Sequence, residues 1–166
     1  MNSAQQWIEQ LGLQRHPEGG WFKEVYRSPE IISKAHLPSR YSGDRHFGTS
    51  IYFMLEGGDF SAFHRLQSDE IWFYHDGCPL WLYIIDSTGN LLKILIGKNI
   101  AEGACLQYTI PAGCWFAGKP VDENAFTLLG CTVAPGFDFS DFELASRESL
   151  IIAFPQHAAH ITEFTR

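Results

Sequence analysis

His64 and Glu70 carry the most legible chemistry in this chain. Side chains alternate across a strand, so Phe60, Ala62, His64 and Leu66 share one face if Phe60–Leu66 is extended. Gln67-Ser68-Asp69 reads as a bend, and Glu70 opens the next extended run, 70–75. The two side chains then converge inside whatever the strands enclose. A histidine beside a glutamate suits proton abstraction, because the carboxylate orients the imidazole and raises its basicity. Tyr74 or Tyr52 supplies a phenol to return the proton. Trp72 and Tyr74 share the parity of Glu70 and wall the same space. The ligand-contacting set expected around the pair is Tyr52, Arg65, Trp72, Trp115, Phe116 and Arg27. The structural alternatives are an ion pair of Glu70 with Arg65 or Arg27, and plain core packing for the aromatic residues.

The elements that must position these residues are short strands. Trp21–Arg27, Thr49–Leu55, Phe60–Leu66 and Glu70–His75 are followed by Leu80–Asp86 and Leu91–Ile96, which flank a turn at Ser87-Thr88-Gly89-Asn90. Leu106–Ile110 and Phe126–Ala134 complete the set. Such regular spacing indicates a sandwich or barrel and not alternating βαβ units. Residues 31–45 read as an irregular flap. Ser3 caps a short helix carrying Trp7, Ile8 and Leu11 and ending at Gly12. Ser146 caps a second, with Leu150, Ile151 and Phe154 on one face, and a third runs through Ile161 and Phe164 after Pro155. These helices are expected on the outside. No repeat or linker divides residues 1–166, which read as one domain.

Composition narrows the function classes. A chain that is 45% hydrophobic and 14% aromatic buries a core without disulfides or structural metal. Its net charge of −7, with no basic cluster, argues against nucleic acid. No apolar run is long enough for a bilayer, and Met1–Gln6 shows no secretory pattern, so neither a membrane nor export is expected. Cys78, Cys105, Cys114 and Cys131 form no closely spaced pair and read as reduced thiols of a cytoplasmic protein. The Gly97-Lys98 pair lacks the rest of a phosphate loop.

The stretch Gly58 to Gly77 resembles the first cupin motif, a glycine, a His-x-His pair, a glutamate and a closing glycine. Gly58, His64, Glu70 and Gly77 fall in register, while Leu66 replaces the second histidine. Pro111-Ala112-Gly113-Cys114-Trp115-Phe116 resembles the second motif, with Phe116 where the ligating histidine belongs. His16-Pro17-Glu18-Gly19-Gly20-Trp21-Phe22-Lys23-Glu24-Val25-Tyr26-Arg27-Ser28, Thr49–Leu55 and the run from Gly130 to Phe139, continuing to Phe142–Ala145, are similar to the DUF985 (cupin-5) family along almost the whole chain. That resemblance implies a mainly β fold, a cupin (RmlC-like) jelly-roll β-barrel with short terminal helices, a homodimer or larger homo-oligomer, and no settled activity. Two of the four usual metal ligands are apolar, so no cofactor is expected, with a divalent metal at His64 and Glu70 the exception to be considered. The leading functional expectation is a pocket that binds a small polar metabolite of carbohydrate type and isomerises or epimerises it without metal. The alternatives are a metal-dependent, dioxygenase-like cupin, with His75 or His46 as a third ligand, and a non-catalytic binding or sensor protein.

Overall fold

A computed structural model describes residues 3–166. Met1 and Asn2, read above for an export signal, lie outside the described residues. The strands are β1 (Gln14–Arg15), β2 (Trp21–Arg27), β3 (Ile31–Ile32), β4 (Arg45–His46), β5 (Thr49–Glu56), β6 (Ser61–Arg65) and β7 (Asp69–Gly77). They continue with β8 (Leu80–Ile85), β9 (Leu91–Ile96), β10 (Gln107–Ile110), β11 (Trp115–Pro120), β12 (Phe126–Ala134) and β13 (Glu143–Leu144). The helices are α1 (Ala4–Leu11), α2 (Arg147–Ala153) and α3 (Ala158–Glu163).

Pairing follows a nested order. β5 pairs with β12, β6 with β11, β7 with β10 and β8 with β9, all antiparallel. One long antiparallel ribbon is thus rolled up so that successive rungs alternate between two sheets, which is a jelly roll. The first sheet runs β1-β2-β5-β12-β7-β10 and the second β13-β6-β11-β8-β9. The strands form two facing sheets, without a single closed ladder.

The period-two pattern explains what lies between the sheets. Phe53 and Leu55 of β5, Trp72 of β7, Leu82 and Ile84 of β8, and Leu129 and Cys131 of β12 pack into one buried cluster. Most of the outer faces are apolar too, so helices cover them. Helix α1 lays Trp7, Ile8 and Leu11 over Met54 and Leu128, and α2 and α3 lay Leu150, Ile161 and Phe164 over Phe63, Tyr83 and Ala117. Helix α1 starts as expected at Ser3. The Ser3 hydroxyl accepts from Gln6 N, and the Gln6 side chain accepts from Ser3 N.

Two elements differ from expectation. Residues 115–120 form a central strand, although Ala117-Gly118-Lys119-Pro120 has little strand character, because β6 and β8 flank it on both sides. The 31–45 stretch is no free flap. It is a two-stranded ribbon around a 3-10 turn, pinned by a buried bidentate ion pair in which Arg45 donates to both carboxylate oxygens of Asp141, each at 2.6 Å.

Gly12 and Gly19 need positive φ for different purposes. Gly12 (φ 64°) only ends α1, with nothing within 4 Å of where a Cβ would sit. Gly19 (φ 116°) turns the chain against β6, and a Cβ there would lie 2.1 Å from the Phe60 carbonyl oxygen. Gly12→Ala is therefore expected to cost about 1 kcal/mol from left-handed strain alone. Gly19→Ala should cost at least about twice that, because backbone must also move. Urea unfolding of both variants checks the order, and equal losses would contradict it.

Candidate functional site

The two sheets enclose a cavity of about 360 Å³. Its walls are largely aromatic, with Phe22, Phe53, Trp72, Phe137, Phe139 and Phe142 among the lining. His16, Glu18, His64 and Glu70 are among the ionisable side chains that line it.

His64 comes from β6 and points inward, 2% exposed. Its Nδ1 lies 2.7 Å from the Ala62 carbonyl oxygen. A carbonyl can only accept, so Nδ1 carries the proton and Nε2 is left as a lone pair. That nitrogen faces Glu18 Oε2 at 3.1 Å. Glu18 sits in the turn before β2, pinned where its carbonyl accepts from Ala62 N at 2.9 Å. Its own N–H donates to His16 Nδ1 at 3.3 Å, so that nitrogen is a lone pair as well and stands 3.5 Å from Glu18 Oε2. The His16 Nδ1 lone pair is thus taken by the Glu18 N–H, while the His64 Nε2 lone pair is placed to accept from a protonated Glu18 Oε2. The electrostatics agree. Burial, then the charge of Glu70, push the Glu18 carboxyl well above the usual carboxylate range, against the hydrogen bond that Ser61 Oγ donates to Oε1 at 2.8 Å. Burial lowers His64 to about 3, with His16 adding to the shift and the bond to Ala62 opposing it. Burial lowers His16 to about 4. Burial therefore favours the uncharged form of both groups, a carboxylic acid facing an imidazole lone pair.

Glu70 and Trp72 stand two residues apart on the inner face of β7. Burial raises Glu70 to about 7, while the Trp72 indole N–H and the Cys131 thiol oppose the shift. The Cys131 thiol is held protonated by burial and by the nearby acids. Among the described residues, Trp72 Nε1 is the one buried side-chain nitrogen or oxygen without a hydrogen-bond partner.

At the opening, Arg27 of β2 donates to Glu24 and to the Phe137 carbonyl. His46 donates from Nδ1 to the Ser28 carbonyl, 2.6 Å away. The segment after β12 supplies Phe137, Phe139 and Phe142, which contact one another edge to face.

Of the residues read from the sequence, His64, Glu70, Trp72 and Arg27 line the cavity. The carboxylate facing His64 Nε2 is nevertheless Glu18, not Glu70. Glu70 makes no ion pair with Arg65 or Arg27, whose partners are Glu143 and Glu24. Tyr74 has the right parity, but at about 3.3 Å per residue it lies roughly 13 Å along the strand from Glu70. Its hydroxyl donates to the Gly77 carbonyl. Tyr52 faces outward beneath α1, between the inward Ile51 and Phe53. Arg65 and Trp115 are each one residue out of step with the inward His64 and Phe116, and they stack on each other on the outer side. Phe116 points inward but backs the His64 ring at a centroid distance of 4.0 Å, so it supports the site without lining it. Sequence reading missed Glu18, His16 and the Phe139–Phe142 wall. The only signal was the His16-Pro17-Glu18-Gly19-Gly20 run, a polar pair held in a Pro/Gly turn.

The donor set does not fit the metal used by metal-dependent cupins. Leu66 and Phe116 occupy two of the four motif positions, and neither offers a donor atom. Among the described residues no group of three or more His, Cys, Asp or Glu is arranged to hold a metal ion. His75, one candidate third ligand, is exposed on the outer face.

The model of the cupin superfamily DUF985 family matches residues 5–145. An uncharacterized protein of Saccharomyces cerevisiae, YML079W, is 27% identical over 96% of this chain and 85% of its own length. The crystal structure of protein SO0799 from Shewanella oneidensis superposes with a TM-score of 0.89 at 40% identity, covering 100% of this chain and 99% of that one. A hypothetical protein from Leishmania major gives a TM-score of 0.89 at 36% identity over 99% of both chains. Oxalate decarboxylase from Bacillus subtilis shares the fold alone, with a TM-score of 0.55 at 14% identity, over 90% of this chain and 36% of the decarboxylase.

Glu70 gives the site a testable pH signature. A carboxyl whose folded value is raised stabilises the fold fully below its unfolded value near 4.5 and loses that contribution as pH rises through about 7. Glu70→Gln stays neutral throughout and escapes the loss. The melting temperature of the variant relative to the parent should therefore climb across this window. A difference independent of pH would show that Glu70 is not buried as described.

Proposed function

This chain belongs to the DUF985 family of the cupin superfamily, and from that premise we propose that it is a metal-independent isomerase or epimerase of a small, uncharged, polar metabolite of carbohydrate type. The observation that carries the reading is the approach of Glu18 Oε2 to His64 Nε2, 3.1 Å apart at the wall of the cavity, a buried contact suited to sharing one proton. A cavity of about 360 Å³ lies at the small end of the range for ligand pockets. Its aromatic walls suit the faces of a ring. Glu24, Glu70 and Asp138 outnumber the one lining arginine, Arg27, which disfavours an anion.

The chemistry needs only protons. Glu70, raised to about 7, is balanced between acid and base at neutral pH, which is where a general base works best. As carboxylate it takes a proton from the carbon beside a carbonyl. Glu18 gives its proton to the carbonyl oxygen, and the hydrogen bond from Ser61 steadies the carboxylate that remains. Return of the Glu70 proton to the neighbouring carbon, or to the other face of the same carbon, and of the hydroxyl proton to Glu18, completes the isomerisation with no net change in the protein. His64 orients Glu18 throughout. The same reading includes a cytoplasmic setting, supported by four unpaired cysteines. It includes a homodimer or larger homo-oligomer, supported by Val25, Tyr26 and Ile31, each more than half exposed near one sheet edge.

The test is hydrogen exchange from solvent. In D₂O the protein should catalyse deuterium entry beside the carbonyl of at least one member of a panel of small aldoses and ketoses, followed by NMR. Glu70→Gln and Glu18→Gln should each slow it by about a hundredfold or more. Absence of exchange across the panel, or exchange indifferent to both variants, would refute the reading.

A further inference from the structure

Trp72 Nε1 bears on which compounds the cavity takes. The side chain is 1% exposed, forms part of the cavity wall, and its N–H has no acceptor. A buried donor without a partner is costly, so native proteins nearly always satisfy it. The cost cannot be avoided by turning the ring. Phe53 and Phe116 pack against it at centroid distances of 6.0 and 5.9 Å, and the backbone of Gly118 approaches so closely that a Cβ there would lie 3.0 Å from the indole. Glu70, two residues back on the same strand face, is near enough for the N–H to favour its carboxylate, but no hydrogen bond of normal geometry joins the two. Glu18 presents its proton elsewhere on the same cavity wall.

We propose that Trp72 Nε1 is a ligand-binding donor that takes a hydroxyl oxygen on the carbon next to the carbonyl, so that the compounds accepted are α-hydroxy carbonyls. This rests on the isomerase reading for the place of the carbonyl, against Glu18, and of the reacting C–H, against Glu70. The hydroxyl on that same carbon falls beside Glu70, where the indole N–H waits. A compound lacking the hydroxyl leaves the donor buried and unpaired, and is discriminated against by that omission.

The probes are 2-hydroxycyclohexanone and its near-isostere 2-methylcyclohexanone, titrated into protein labelled with ¹⁵N-tryptophan. Five tryptophans give five indole signals. Trp72 is assigned as the signal absent from Trp72→Phe, or by backbone-linked assignment of the parent protein should that variant not fold. The hydroxy ketone should move the Trp72 signal downfield and bind about threefold to tenfold more tightly than the methyl ketone, which should leave the signal in place. Trp72→Phe should erase that preference. A Trp72 signal that moves with neither compound, or equally with both, overturns the proposal. Deuterium entry beside the carbonyl is read in the same samples. A hydroxyl-dependent shift without deuterium entry supports the Trp72 contact while removing the isomerase reading, so the two fail separately.

Discussion

Everything in this molecule turns on burying an acid against an imidazole. An isolated carboxylate between apolar sheets would pay a desolvation penalty that no single hydrogen bond repays. The solution at Glu18 and His64 is to bury no charge at all. His64 keeps its proton on Nδ1 because a carbonyl demands it there, and burial favours a protonated Glu18, which the His64 Nε2 lone pair faces. The pair is thereby stable in a dry place, and the proposed chemistry draws on the same property. A neutral acid in low dielectric has a proton to give wherever a ligand offers a better acceptor.

The rest of the fold holds that geometry still. His64 lies on β6, paired on both sides by β11 and β13, while Phe116 backs its ring. Glu18 has no strand of its own, so its turn is tied down at several points. Ala62 N donates to its carbonyl, Gly20 N donates to Asp59, and Arg166 reaches from the C-terminus to the same Asp59. The terminal α3 segment therefore does more than cover an outer face. Through Arg166 and Asp59 it reaches the turn that carries Glu18.

Strand positions were legible in the sequence wherever pattern and punctuation agreed. Trp21–Arg27 and Phe126–Ala134 were read with the bounds they have, since each is an aromatic or β-branched run closed by turn residues. β11 was not read as a strand, because tertiary neighbours and not its own residues make it one. The inward position of His64 and Glu70 followed from parity, and parity is where side-chain reading ends. It does not say how deep in the sandwich a residue lies, which is why Tyr74 was misassigned. Applied without first deciding which neighbour points in, it allowed both Trp115 and Phe116. Glu18 obeys no period. Its approach to His64 depends on how a Pro/Gly turn docks on β6, and nothing in local sequence encodes that contact.

Leu66 and Phe116 can now be seen as more than losses. In the first cupin motif the position of Leu66 belongs to a metal-binding histidine, and a cation there would favour an ionised Glu70 and set imidazole lone pairs towards itself. With Leu66 and Phe116 in those places the surroundings are apolar, in keeping with the burial that lifts Glu70 to about 7 and raises Glu18. The same two residues that offer no donor atom therefore keep the surroundings of both acids apolar. His64 is retained in both designs, but its free nitrogen serves a different partner, a carboxylic acid supplied by the turn before β2. On this argument the conserved scaffold and the altered chemistry have one cause: which atoms are allowed to carry charge between the two sheets.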